Sequence, residues 1–292
     1  MVVHALPPGH RGPLPPIPEP VGHDGGVTDA PSRTAFPNLP ERRMLTASDG
    51  VPIDSVLLRG TPGRTSAVVV ANGFTGSWRS PDTRMIAQRL LAAGDVLLFD
   101  FRGHYGSGGV STVGNEEVHD LEAAVAHLRG LGYTDIATVG FSMGAAVVVR
   151  HAGLHGGVGA AVSVSGPSRW YYRGTPRMRL LHFGVERAAG RLFLRAARSV
   201  RVTDRHWDPV PPDPTEMAAH LAPTPLLVVH GDADSYFPLE HARRLHEAVR
   251  GPGDLWIEAG MGHAERAVTP ERAARIAAWI ADNRITPPAC GT

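Results

Sequence analysis

Apolar positions along the chain follow two patterns. Short unbroken runs bounded by polar or turn residues recur at Ser66-Ala-Val-Val-Val-Ala71, Asp95-Val-Leu-Leu-Phe-Asp100, Asp135-Ile-Ala-Thr-Val139, Gly159-Ala-Ala-Val-Ser-Val-Ser165 and Thr224-Pro-Leu-Leu-Val-Val-His230. Runs of that length predict strands covered on both faces. Between them, spacings of three and four predict helices. Met85, Ile86, Leu90 and Leu91 share a stripe over residues 81–93, and Val118, Leu121, Val125 and Leu128 share one after a predicted cap at Asn115. Further helices are expected over 239–249 and 270–283, the second packing Ile276, Ala277, Trp279 and Ile280, with a strand over 254–258 between them. Ahead of these, residues 42–48 and 51–58 alternate about an Asp49-Gly50 turn and predict a hairpin.

Strands alternating with amphipathic helices imply an α/β architecture, a mostly parallel, helix-flanked open sheet. The alternation breaks at Gly166, and about 55 residues pass before the next strand. This stretch carries Trp170, Tyr171, Tyr172, Phe183, Phe193 and Trp207. An insert of that size on the ligand side of a sheet predicts a helical lid, over 167–222, after the sixth strand. Residues 1–40 hold ten of the 26 prolines and predict an extended Pro/Gly-rich tail. The folded domain is expected over 41–285, followed by a short tail over 286–292.

Composition narrows the function little. A net charge of +1 gives no argument for nucleic acid or an anionic membrane, and no apolar run reaches the ~20 residues of a membrane span. The single cysteine, Cys290, excludes an intramolecular disulfide, and with no secretory signal pattern the expected location is cytoplasmic. Every one of the 29 basic residues is arginine, a mark of coding composition before it is a mark of function. His119, His127, His151 and His155 lack zinc-type spacing, so no metal is expected. Arg187, Arg191, Arg195 and Arg198 fall on one helix face, read first as a solvated face and alternatively as a surface for a carrier phosphate.

The chemistry lies at the strand ends. Gly140-Phe-Ser-Met-Gly144 joins a strand to an apolar helix, and the flanking glycines allow a sharp turn that exposes the Ser142 hydroxyl. A serine hydroxyl needs a base, held by a third group, before it attacks. His230-Gly-Asp-Ala-Asp234 and Gly260-Met-Gly-His263 follow the last two strands, so all three motifs meet at the carboxyl edge of the sheet. The glycine-rich loop over 101–109 matches neither a P-loop nor a dinucleotide fingerprint and reads as a wall of the site.

On these motifs, in the order Ser142, Asp234, His263, the chain resembles the α/β-hydrolase superfamily over residues 41–285, and within it the lysophospholipase-like and serine-aminopeptidase-like hydrolases. The resemblance implies the α/β-hydrolase fold, with Ser142 as nucleophile, His263 as general base and Asp234 as orienting acid, Asp232 standing as the fallback. Asn72-Gly-Phe-Thr-Gly-Ser is similar to the family's His-Gly-x segment, which makes the backbone N–H groups of Phe74 and Met143 the oxyanion donors. Asn72 replaces the usual histidine, and Tyr105 replaces a glycine in the family's Asp-x-Arg-Gly-His-Gly-x-Ser pattern. Tyr105, Trp170, Tyr171 and Phe141 are the candidates for the substrate pocket. The implied activity is cleavage of a carboxylic ester of a small acyl substrate, without a cofactor. A thioesterase or acyltransferase meeting a carrier protein is the alternative, and a non-catalytic binding protein of the same fold is the reading from another class.

Overall fold

The computed structural model describes residues 40–286, so the expected proline-rich tail and Cys290 lie outside the described residues. Among the described residues, eight strands form one sheet. The hairpin β1 (Glu41–Thr46) and β2 (Pro52–Leu58) pairs antiparallel, and β2 again runs against β4 (Asp95–Phe99). From β4 onward every pairing is parallel, through β3 (Ser66–Ala71), β5 (Asp135–Phe141), β6 (Ala160–Val164), β7 (Leu226–Gly231) and β8 (Gly253–Glu258). The central strands show no accessible surface at Val68, Val69 and Val70, which is why they read as unbroken apolar runs.

Two cores lie on the two faces of this sheet. On one, Val118, Leu121, Val125 and Leu128 of α2 (Glu117–Gly130) pack with Val147, Val148 and Val149 of α3 (Met143–His155). On the other, Ile86 and Leu90 of α1 (Pro81–Leu90) pack with Ile276, Trp279 and Ile280 of α8 (Pro270–Asn283). Each such aliphatic side chain, fully buried, contributes roughly 1.5–3 kcal/mol. Among them, α7 (Leu239–Glu247) is shorter than the expected helix.

The start of α2 differs from expectation. Asn115 is not its cap; Glu116 holds that position without a side-chain bond. The buried Glu117 carboxylate organises the turn instead, accepting from the N–H groups of Thr112, Val113 and Gly114 and from the hydroxyls of Ser111 and Thr112. A charged acceptor that satisfies several donors at a helix N-terminus outperforms one capping amide.

The insert between β6 and β7 carries α4 (Pro176–Glu186), α5 (Ala188–Arg198) and α6 (Pro214–Ala218). Its backbone seals onto the glycine-rich loop: Arg201 N–H donates to Gly103 O at 2.8 Å, and Ser111 N–H to Arg201 O at 2.7 Å. Gly103 sits at φ 73°, and a Cβ there would stand 2.3 Å from Ser111 N. The glycine is required by this close approach of three backbone segments. Arg102, 1% exposed, anchors the same loop through Asp120, Asp49 and Glu116.

Candidate active site

Ser142 follows β5 at φ 50°, ψ −113°, a backbone region that non-glycine residues occupy at roughly 1–3 kcal/mol of strain. The flanking glycines show how closely the turn is packed. A Cβ on Gly140 would lie 2.3 Å from Gly144 O, and one on Gly144 would lie 2.2 Å from Ala71 O. Strand, turn and helix therefore close tightly, with Ser142 N–H bonded to Val164 O at 2.9 Å.

The turn brings three side chains into one hydrogen-bonded row. Ser142 Oγ is 2.9 Å from His263 Nε2, and His263 Nδ1 is 2.7 Å from Asp234 Oδ2. The other Asp234 oxygen accepts the N–H groups of Tyr236 at 2.8 Å and Phe237 at 3.0 Å. Burial pushes the Asp234 carboxyl up, but the bond and charge of His263, with those N–H groups, more than offset it and hold it below the ordinary carboxylate value. The Asp234 side chain is fully enclosed, and His263 retains 15% exposure. Asp232 instead accepts the Gly260 N–H at 2.7 Å and takes no place in the row.

The β3–α1 loop stands beside Ser142. Asn72 is buried, its amide N–H donating to Phe99 O at 3.0 Å and its oxygen accepting from the Thr83 hydroxyl at 3.0 Å. It ties the ends of β3 and β4 to α1, which accounts for an amide here. Beyond it, Gly73 N–H donates to Glu265 Oε1 at 2.6 Å and Thr75 N–H to His104 Nε2 at 3.2 Å. Among the described residues, the N–H groups of Phe74 and Met143 have no acceptor. The Met143 N–H belongs to the first turn of α3, where such groups lack intrahelical partners.

The four pocket candidates part company. Tyr105, at φ 42°, donates its hydroxyl to Thr75 O at 3.3 Å and so reaches the loop beside Ser142. Phe141 is a correction. It has no exposure and sits in the core with α1 and α8, because its strand position points it away from the site edge. Trp170 donates its indole N–H to Pro212 O, packs its ring on Trp207 and lies over Gly114, tying the two ends of the insert together. Tyr171 is 64% exposed and packs against His182.

Sequence reasoning passed over Tyr236, whose ring stacks on the His263 imidazole at 4.2 Å, and Glu265. Both sit two residues after a named site residue, which is the one signal that could have found them. The insert reaches this edge through the Thr175 hydroxyl, which donates to Tyr236 O at 2.9 Å, and through Arg177 over the Tyr236 ring. A cavity of about 710 Å³ lies elsewhere, walled by Thr112, Asn115, Arg191, Asp204 and Trp207, and includes none of the three side chains of the row. Its charged, open lining suits solvent better than an acyl chain. Among the described residues, no three His, Cys, Asp or Glu are grouped as metal ligands, and no helix is long and apolar enough to cross a membrane.

A model of the alpha/beta hydrolase family matches residues 68–279, and the chain belongs to that family. The uncharacterised protein YqkD of Bacillus subtilis is 31% identical over 183 residues, which are 58% of this chain and 56% of that protein; the match thus spans little more than half of the relative. Among solved structures, the Pyrococcus furiosus esterase Pf2001 superposes with a TM-score of 0.64 at 23% identity, over 83% of this chain and 91% of that one. XC6422 of Xanthomonas campestris, described as a serine hydrolase without a lid, gives 0.56 at 19% identity, over 85% and 94%. At these identities the two structures speak for the fold.

Proposed function

We propose that the protein is a serine hydrolase that cleaves carboxylic esters through an acyl-enzyme on Ser142. One observation carries this reading: the continuous row Ser142 Oγ–His263–Asp234, with bonds of 2.9 and 2.7 Å. His263 Nε2 takes the Ser142 proton as Oγ attacks the ester carbonyl carbon, and Asp234 holds the ring and the charge it gains. The unpartnered N–H groups of Phe74 and Met143 receive the oxyanion, where each donor supports the transition state by about 3–4 kcal/mol. Collapse of the tetrahedral adduct breaks the carbon–oxygen bond to the alcohol, which leaves with the proton from His263. Water, deprotonated by the same nitrogen, then releases the carboxylic acid and restores Ser142. The esterase among the structural neighbours favours an oxygen ester as substrate, and the insert over Tyr236 acts as a lid that sets its size.

A thioester or carrier-bound acyl group is the second reading. Arg187, Arg195 and Arg198 favour it, since all three are exposed. Arg191 does not join them, because its guanidinium turns back onto the carbonyls of Val185 and Glu186 at the end of α4. A p-nitrophenyl ester series from acetate to palmitate, with Ser142→Ala in parallel, tests the proposal. Turnover that disappears in the variant supports it, and the best chain length sizes the pocket. A folded wild type with no serine-dependent turnover on any ester rules out the esterase reading, and matched thioesters then test the second one.

A further inference from the structure

Glu265 lies two residues after His263, in a short 3-10 helix (Ala264–Ala267), yet its carboxyl reaches across to the β3–α1 loop. Oε1 accepts the Gly73 N–H at 2.6 Å. The carboxyl is wedged in tightly: a Cβ on Gly73 would meet Glu265 Oε2 at 3.3 Å and Ser142 Cβ at 3.3 Å, and one on Gly76 would meet Oε1 at 3.2 Å. Gly73 is thus confined by this side chain and Ser142, and Gly76 first by Asn72 Cβ and Gly73 O, both at 2.9 Å, with the carboxyl behind them. The far side of the same turn is pinned by His104, whose Nδ1 meets Arg102 O at 2.9 Å and whose Nε2 accepts the Thr75 N–H. That pairing fixes His104 as a neutral imidazole with its proton on Nδ1, in keeping with a complete burial that lowers its pKa. Two alternate N–H groups of the turn are thus committed, one to each flanking acceptor. The Phe74 N–H between them is left without a partner.

We infer that Glu265 is a positioning residue: by holding the Gly73 N–H it fixes the Asn72–Gly73 peptide, and with the Gly76 N–H on Gly73 O at 2.9 Å this sets the next peptide, whose Phe74 N–H is aimed at the oxyanion formed on Ser142. The inference rests on the serine-hydrolase reading of the site and assigns a role to a side chain outside the row of three. A carboxylate so near the reacting oxygen would oppose an oxyanion if it were ionised, and its surroundings work against ionisation. Enclosure by protein raises the Glu265 pKa, and the opposing influences of the Gly73 N–H, its own N–H, His263 and Arg266 do not cancel that. The charged residue of the facing loop, Arg79, is bound to Asp54 and Asp100 and offers Glu265 no counter-charge. The Glu265 carboxyl accepts the Gly73 N–H in either protonation state, and the upward shift lessens the charge that an oxyanion would meet.

The test compares Glu265→Gln, which keeps a neutral acceptor, with Glu265→Met, which fills similar space without one. Four quantities are read on the full chain: kcat and KM on the best p-nitrophenyl ester, the inhibition constant of a trifluoromethyl ketone whose hemiketal oxygen occupies the oxyanion site, and the melting temperature. Loss of a whole oxyanion donor lowers kcat by ~10²–10³-fold, so a misaimed one should lower it by roughly 10- to 100-fold. The inference expects that fall in Glu265→Met, an equal weakening of the ketone, KM within about twofold, and recovery of most activity in Glu265→Gln. A merely structural tie would lower the melting temperature and leave kcat and ketone affinity of the folded fraction at wild-type values, and that result overturns the inference. Should Glu265→Met fail to fold, Glu265→Ala with the same readouts decides it. Wild type without any Ser142-dependent turnover removes the serine-hydrolase reading and the inference together, whereas an active wild type matched by Glu265→Met removes the inference alone.

Discussion

The backbone N–H of Ala264 donates to the Ser165 hydroxyl at 3.1 Å, joining the residue after His263 to the end of β6. Both residues have left-handed backbone conformations, φ 55° for Ala264 and 53° for Ser165. The His263 segment therefore owes its placement partly to one hydroxyl just beyond β6, two strands away from β8. Ser165→Ala leaves a buried N–H without an acceptor, which costs about 1–3 kcal/mol. Urea unfolding should show that loss, with a fall in kcat/KM because His263 is no longer held from below. Wild-type stability in the variant would mean the bond is dispensable.

Asp234→Asn should be far more damaging to activity than Asp232→Asn. An amide at 234 keeps the shape but presents a donor to the wrong imidazole tautomer, and in a comparable serine-protease triad this change costs ~10⁴ in kcat. Asp232 serves only the Gly260 N–H, on the exposed side of the same turn, so its amide variant should stay within about threefold of wild type. Steady-state kinetics on both variants separates the two aspartates; equal losses would undo the assignment of Asp234 as the orienting acid.

Much of this was written in local patterns. The strands of the sheet, the helices that cover it and the serine turn follow from apolar runs, their spacing and a pair of glycines. Ser142, Asp234 and His263 could be placed at one edge because strand ends in such a sheet converge. What escaped was set by contacts distant in sequence. Phe141 looked like a neighbour of the hydroxyl, but strand alternation sends it into the core. Asn115 is a good capping residue by type, yet the Glu117 carboxylate satisfies more donors. The Gly73–Glu265 bond spans 192 residues, and no local signal announces it.

Acid should loosen the attachment of the insert. His241 accepts the Ser168 N–H on Nδ1 at 3.0 Å, and burial, aided by the charge of Arg169, lowers its pKa from 6.5 to about 4. Between those values the unfolded chain binds a proton that the folded protein does not. Stability therefore falls as pH drops from 6.5 toward 4, by no more than about 3 kcal/mol once the interval is crossed, since solvent screens part of the effect. His104, His151 and His230, also lowered by burial, push in the same direction. His241→Asn retains an acceptor for Ser168 without titrating. Its melting temperature should decline less steeply with acid than that of wild type, and parallel curves would show that His241 is not a source of the slope.

The pairing of α4 with α5 depends on two glycines that should respond in opposite ways. Gly190 packs directly against Gly184: a Cβ on Gly190 would stand 2.3 Å from Gly184 O and 2.5 Å from Gly184 Cα. A Cβ on Gly184 meets nothing within 4 Å. Gly184→Ala thus removes a poor helix former at no steric cost and should steady α4 by about 0.5–1 kcal/mol. Gly190→Ala forces the backbones apart, which for an overpacked contact costs ~1–3 kcal/mol. Limited trypsin digestion reads this locally, since Arg187, Arg195 and Arg198 are exposed on or beside α5. Cleavage at those arginines should be slower in Gly184→Ala and faster in Gly190→Ala. Because α4 begins at the Thr175–Tyr236 bond beside His263, the loosened variant should also raise KM for long-chain esters more than for acetate. Unchanged cleavage in Gly190→Ala would mean that the two helices do not rely on this contact.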